Sequence, residues 1–215
     1  IKPGELTAIV SARPEESSAL ADRLGRFGLA RTAVRMGGVA IADLPLATVR
    51  RRIVVSEIDP RLFTGSLREE LDPRGTHDDA SILSALGVAG GEDVMDALPC
   101  GLDSDVEERG RSFSGGQRQR LALTRALLTD AETLVLVEPT SSVDAHTEAR
   151  IAARLAGARA GRTTVVMTAS PLLLDTADAV ILLTDGKATA RGTHRELMAT
   201  STAYKDTVIR GEVVR

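Results

Sequence analysis

Four successive apolar residues, Leu134-Val135-Leu136-Val137, restrict this chain more than any other feature. Strict alternation of apolar and polar residues marks a strand with one wet face. An unbroken run marks a strand covered on both faces, as in a parallel sheet packed between helices. Thr164-Val165-Val166-Met167 and Val180-Ile181-Leu182-Leu183 repeat the signal, with helix-like segments between them. Alternating strands and helices imply an α/β fold with a doubly wound, mainly parallel sheet and right-handed crossovers. Leu6-Thr7-Ala8-Ile9-Val10 reads as a further strand. A polar stretch, 11–17, follows it, and then Leu20, Leu24 and Phe27 recur at helical spacing.

From about Arg31 to Leu98 the pattern is less regular. Residues 80–86 read as a helix closed by Gly87, and 114–128 carry helical spacing at Leu121 and Leu128 with Ala122 and Ala126 beside them. Asp185-Gly186 suits a hairpin turn. With 43% apolar but only 2% aromatic residues, the core must be aliphatic. The net charge of −3 does not indicate a basic nucleic-acid binder. Cys100 is the single cysteine, so neither an intrachain disulfide nor a cysteine metal cluster can form. His77, His146 and His194 share no metal-ligand spacing, and no metal site is expected. No apolar run approaches the roughly 18–20 residues that span a bilayer. A length of 215 residues suits one domain, 1–215. Its opening at Ile1, in a turn feeding a strand, suggests a piece of a longer polypeptide with N-terminal strands missing.

The strongest local signal is Phe113-Ser114-Gly115-Gly116-Gln117-Arg118-Gln119-Arg120. Two glycines at a helix start let backbone N–H groups approach an anion, the helix dipole favours negative charge there, and Ser114 adds a hydroxyl. An ordinary Ser cap with turn glycines would account for Ser-Gly-Gly alone. Continued through Leu121-Ala122-Leu123-Thr124-Arg125-Ala126-Leu127-Leu128, the stretch resembles the signature motif of ATP-binding cassette (ABC) proteins. Leu134 through Glu138-Pro139-Thr140-Ser141-Ser142-Val143-Asp144 resembles the Walker B strand and D-loop of that family. Ser104-Asp105-Val106-Glu107-Glu108-Arg109-Gly110 resembles the X-loop of ABC exporters. Leu62-Phe63-Thr64-Gly65-Ser66-Leu67-Arg68-Glu69 resembles the exporter segment after the Q-loop, and Gly186-Lys187 through Gly192-Thr193-His194-Arg195-Glu196-Leu197 resembles the exporter C-terminal part. The resemblance runs in order along nearly the whole chain. It implies a P-loop NTPase-like sheet with an inserted ABC-type helical subdomain, about 66–128.

The departures from the family pattern are concentrated in one half-site. A P-loop, GxxxxGK[ST], wraps phosphates with backbone N–H groups, neutralises them with its Lys and holds Mg²⁺ with its hydroxyl. Here that place reads Ser11-Ala12-Arg13-Pro14-Glu15-Glu16-Ser17-Ser18. Ser11 and Glu16 stand at the two glycines and Ser17 at the lysine; Ser18 alone fits, at the Mg²⁺ hydroxyl. Pro14 removes a donor, and Glu15 and Glu16 add negative charge. The metal-supporting Asp aligns with Val137, the Q-loop Gln with Ile58 (Glu57 beside it), and the switch His with Ala169. Glu138 survives at the place of the general base, vestigial without its surroundings.

ABC domains pair head to tail, each ATP lying between one domain's P-loop and the other's signature motif. The resemblance therefore implies a degenerate nucleotide-binding domain of an asymmetric exporter. It would lend Ser114, Gly115, Gly116 and Gln117 to the ATP and Mg²⁺ site of an intact partner domain, binding neither alone. Ser141, Ser142 and Asp144 would form the D-loop contact with that partner. Transmembrane domains would hold the assembly at the cytoplasmic face of the membrane, with no nucleic acid involved. The alternative is a structural or regulatory ABC-like module with no part in any ATP site.

Overall fold

The structure, a computed structural model, describes residues 1–28 and 33–213; Arg31 lies outside the described residues. The chain divides into two compact units, one of Ile1–Glu57, Ala131–Glu138 and Arg159–Arg215, the other of Ile58–Asp130 and Pro139–Ala158.

With elements numbered along the chain, the first unit holds β1 (Leu6–Ser11), a small hairpin of β2 (Arg35–Met36) and β3 (Val39–Ala40), β4 (Ile53–Ser56), β7 (Thr133–Val137), β8 (Thr163–Met167), β9 (Ala179–Thr184) and β10 (Lys187–Gly192). Six of these form one sheet in the order β10-β9-β1-β8-β7-β4. All its neighbours run parallel except β9 and β10. That pair is the expected hairpin, its turn made by Asp185 (φ 51°) and Gly186 (φ 72°).

The run 134–137 is apolar throughout because both its faces are buried. Val135 and Val137 pack with Val165, Met167, Ile9, Ala21 and Leu24 in one aliphatic cluster. Leu134, Leu136 and Val166 point to the opposite face, and each is fully buried. Burying one such side chain contributes roughly 1.5–3 kcal/mol relative to exposure.

The helices of this unit are α1 (Pro14–Gly25), α2 (Leu46–Arg52), α8 (Pro171–Thr176), α9 (His194–Thr200) and α10 (Thr202–Val213). Pro14 opens α1, where its missing N–H is no loss. Arg26, at φ 54°, closes it. The expected stripe therefore ends at Leu24. Phe27 lies beyond the helix and is 40% exposed, with the Arg50 guanidinium 5.5 Å above its ring. A Cβ on Gly25 would stand 2.8 Å from Val55 Cγ2, so this glycine is set by packing.

The second unit holds a small antiparallel pair, β5 (Gly65–Ser66) and β6 (Asp105–Val106), with α3 (Leu67–Leu71), α4 (Asp79–Val88), α5 (Glu92–Asp96), α6 (Gly115–Leu128) and α7 (Ala145–Ala158). Its core joins Leu67, Leu71, Ile82, Leu86, Phe113 and Leu121. Gly87 does not end α4. The chain turns instead at Gly90 (φ 67°), whose N–H, with that of Gly91, bonds back to Gly87 and Leu86 carbonyls. Glu70 is buried on α3, where it pairs with Arg125 of α6 and accepts the Phe63 N–H at 2.8 Å.

Candidate functional site

The turn from β1 into α1 is short, because Pro14 starts the helix three residues before Ser17. The Glu16 N–H is already committed to the Arg13 carbonyl, at 3.0 Å. The Glu16 carboxylate accepts the Ser11 hydroxyl at 2.7 Å and pairs with Arg13. Arg13 in turn reaches Asp185 of the β9–β10 turn at 2.6 Å. The Ser11 hydrogen bond, followed by Arg13, holds the Glu16 carboxyl below its ordinary pKa. Ser17 is buried and Ser18 exposed. A cavity of ≈ 280 Å³ between this turn and α10 is lined by Ser11, Arg13, Glu16, Asp185, Asp206 and Arg210, among others.

Val137, at the end of β7, is 5% exposed and belongs to the aliphatic cluster under α1. The next residue, Glu138, sits at φ 44°, its N–H bonded to the Met167 carbonyl and its carboxylate to the Thr168 hydroxyl at 3.0 Å. Ala169 lies under α10. A Cβ on Gly211 would stand 2.4 Å from the Ala169 Cβ, which leaves no room for a larger side chain at either position.

In the second unit, Ser114 caps α6. Its Oγ accepts the Gln117 N–H at 3.2 Å, and Gln117 Oε1 accepts the Ser114 N–H at 2.8 Å, a reciprocal capping box. That bond uses a lone pair of Ser114 and leaves its O–H proton for another acceptor. The N–H groups of Gly115 and Gly116 open the helix and have no carbonyl four residues back to bond. The two glycines differ in surroundings. A Cβ on Gly115 would meet nothing closer than Ser142 Cβ, at 3.7 Å. A Cβ on Gly116 would stand 2.5 Å from the Ser142 carbonyl oxygen, closer than real Cβ atoms come. Gly116 therefore has a packing role that the motif alone does not reveal.

Ser141 and Ser142 are brought against the start of α6 by Gln119, whose side chain bonds the Ser141 hydroxyl at 2.7 Å and the Ser142 N–H at 2.9 Å. The signal for Gln119 was a polar residue on the buried side of α6, between Gly116 and Leu123. Asp144 begins α7: its carboxylate accepts the Thr147 N–H at 3.0 Å and its carbonyl the Glu148 N–H at 2.8 Å. The Thr147 bond lowers the Asp144 pKa. Ile58 is 45% exposed, and its carbonyl accepts Gln119 Nε2 at 3.4 Å.

The family model described as ABC transporter matches residues 24–141, more than half of the chain. The chain belongs to the ABC transporter family. The matched stretch contains the capped start of α6 and Ser141; the turn 11–18 precedes it. Among relatives of this ABC domain, the ATP-dependent lipid A-core flippase of Ralstonia nicotianae is 35% identical over 203 residues, covering 92% of this chain and 34% of that protein. The flippase of the same description from Pseudomonas syringae pv. tomato is 36% identical over 206 residues, covering 94% and 34%. The fold matches a bacterial Atm1-family ABC exporter solved with ATP bound, at a TM-score of 0.87 and 26% identity, over 97% of this chain and 37% of that one. The ABC domain thus has the architecture of an exporter nucleotide-binding domain and spans about a third of the length of its curated relatives. Among the described residues, no helix is long and apolar enough to cross a membrane.

Proposed function

We propose that this chain is the degenerate nucleotide-binding domain of an exporter-type ABC transporter, and that it lends the start of α6 to the ATP site of an intact partner domain. The carrying observation is the turn at 11–18. The residues there do not fit a magnesium-bound triphosphate. A phosphate cradle needs several free backbone donors and a cation. The Glu16 N–H is bonded to the Arg13 carbonyl, the Arg13 cation is committed to Glu16 and Asp185, and the Glu16 carboxylate accepts the Ser11 hydroxyl. Val137 offers the metal no ligand. No step of hydrolysis is assigned to this half-site.

The start of α6 has the opposite character. Two helix-opening N–H groups and a hydroxyl proton converge there, near no acidic residue of the first turn. Ser114, Gly115 and Gly116 would donate to a phosphate of ATP held on the partner, where charge develops during phosphoryl transfer. In the family, that ATP is bound with Mg²⁺; here the partner would supply the metal ligands, the lysine and the general base. Transmembrane domains and a cytoplasmic-face location belong to the same proposal.

A second reading, a purely structural module, is favoured by one observation: Gly116 is required by the Ser142 carbonyl whether or not an anion ever approaches. Gly115 separates the two readings, since packing alone gives it no reason to be glycine. Two measurements test the proposal. Calorimetry of this chain alone should register no micromolar, metal-dependent ATP binding. In the assembled transporter, Ser114→Arg should lower steady-state ATPase by about 10²-fold or more, the scale of losing a preorganised electrostatic stabiliser. Tight Mg²⁺-dependent binding in the first, or unmutated turnover in the second, contradicts it.

A further inference from the structure

Gln119 is a polar side chain buried on α6, 6% exposed. Its Nε2 donates to Ser141 Oγ at 2.7 Å and to the Ile58 carbonyl at 3.4 Å, while its Oε1 accepts the Ser142 N–H at 2.9 Å. Gly116 lies three residues earlier on the same face of the helix, where the absence of a Cβ lets the Ser142 carbonyl approach. One helical face therefore meets both backbone polar groups of Ser142. The amide above closes on its N–H, and the bare backbone below closes on its carbonyl.

We propose that Gln119 is a positioning residue that locks the D-loop to the signature helix, so that an anion engaged at Gly115 and Ser114 also sets where Ser141 and Ser142 stand. The inference rests on the lent-signature reading above. Gln119 itself touches no nucleotide. It acts through Ser141 and Ser142, and with its amide in place the start of α6 and the D-loop behave as one body. Leucine at this position would fill similar volume but leave the Ser142 N–H and the Ile58 carbonyl without the amide. Glutamate would keep an acceptor for the Ser142 N–H and for the Ser141 hydroxyl, giving up the bond to the Ile58 carbonyl.

The test is the steady-state Mg²⁺-ATPase of the assembled transporter, with its melting temperature followed in parallel. Gln119→Leu should lower kcat about tenfold, the loss expected from one or two buried hydrogen bonds, with KM for ATP changed less than twofold. Gln119→Glu should restore kcat to within about threefold. Ser141→Ala should lower kcat by itself, and Gln119→Leu added to it should cost less than it does alone, because both variants break the same bond. A merely structural Gln119 would give independent, multiplying effects and no rescue by Glu. Unmutated kcat in Gln119→Leu, while Ser114→Arg is inactive, overturns this inference and leaves the lent-signature reading standing. Unmutated turnover in Ser114→Arg overturns both. If Gln119→Leu does not fold, Ser141→Ala decides: unmutated kcat in that variant overturns the proposal.

Discussion

Gly115 and Gly116 are neighbours in sequence but answer to different constraints. A methyl group at 116 would collide with the Ser142 carbonyl, which is backbone and cannot swing aside. Overpacking of that kind costs roughly 1–3 kcal/mol. Gly116→Ala should therefore lower the melting temperature by about 3–10 °C. Gly115→Ala should leave it unchanged or raise it slightly, because the added methyl meets only ordinary contacts and Ala favours helix. Thermal melts of the two variants check this directly. Neither expectation could be read from Ser-Gly-Gly, since both depend on where residue 142 lies in space. Glu138 gives a second residue-scale prediction. Its carboxylate is bonded to Thr168, beside Val137 and Ala169, with no acidic or imidazole side chain at those two positions. Glu138→Gln should hold the transporter's ATP turnover within a few fold. A general base in use contributes about 10²–10⁴-fold, so a loss of that size would mean the working site has been misassigned.

Among the elements, helix starts carry much of the local chemistry. Asp144 opens α7, Thr193 and Glu196 box the start of α9, and Glu16 sits in the first turn of α1. The carboxyl groups of Glu16, Asp144 and Glu196 all lie below their ordinary pKa values through hydrogen bonds accepted in the folded state. Each binds a proton less readily folded than unfolded. Their stabilisation is complete above the ordinary carboxylate range, about pH 4, and is lost as pH falls through the lowered folded values. Buried Glu70 has the opposite sign, because burial raises its pKa against the pull of Arg125. Asp144→Ala should lower the melting temperature by about 2–4 °C at pH 7. That difference should shrink as pH falls toward about 2, and melts taken across this range test it. The long elements were legible in sequence for a definite reason. β7, β8 and β9 are buried on both faces, so their apolar runs are unbroken, and Asp185-Gly186 accepts the positive φ its turn needs. Gly87 misled because a helix tolerates an internal glycine at about 1 kcal/mol, whereas Gly90 offers the left-handed turn that ends it. The pairs β2–β3 and β5–β6, two residues per strand, are too short to leave a periodic signal.

For the whole molecule, the sequence patterns pointed to a parallel α/β sheet, but not to the order β10-β9-β1-β8-β7-β4, which depends on crossovers that no local residue encodes. The candidate site was legible to the same depth. The helix start at 114–116 and the turn at 11–18 both stand in the sequence. Tertiary contacts supply the links from Arg13 to Asp185, from Gly211 to Ala169 and from Gln119 to Ser142. The chain spans a third of its relatives, and its proposed chemistry needs a second domain, so the decisive measurement belongs to the assembly. It is the steady-state ATPase of the assembled transporter carrying Gly115→Asp, with melting temperature as the folding control. This position has room for a Cβ, and the carboxylate would face the phosphate that Ser114 and Gly115 are proposed to bind. An ATPase reduced by about 10²-fold at an unchanged melting temperature is the predicted result. Hydrolysis at the unmutated rate by the folded variant would contradict the lent signature and leave a structural module in its place.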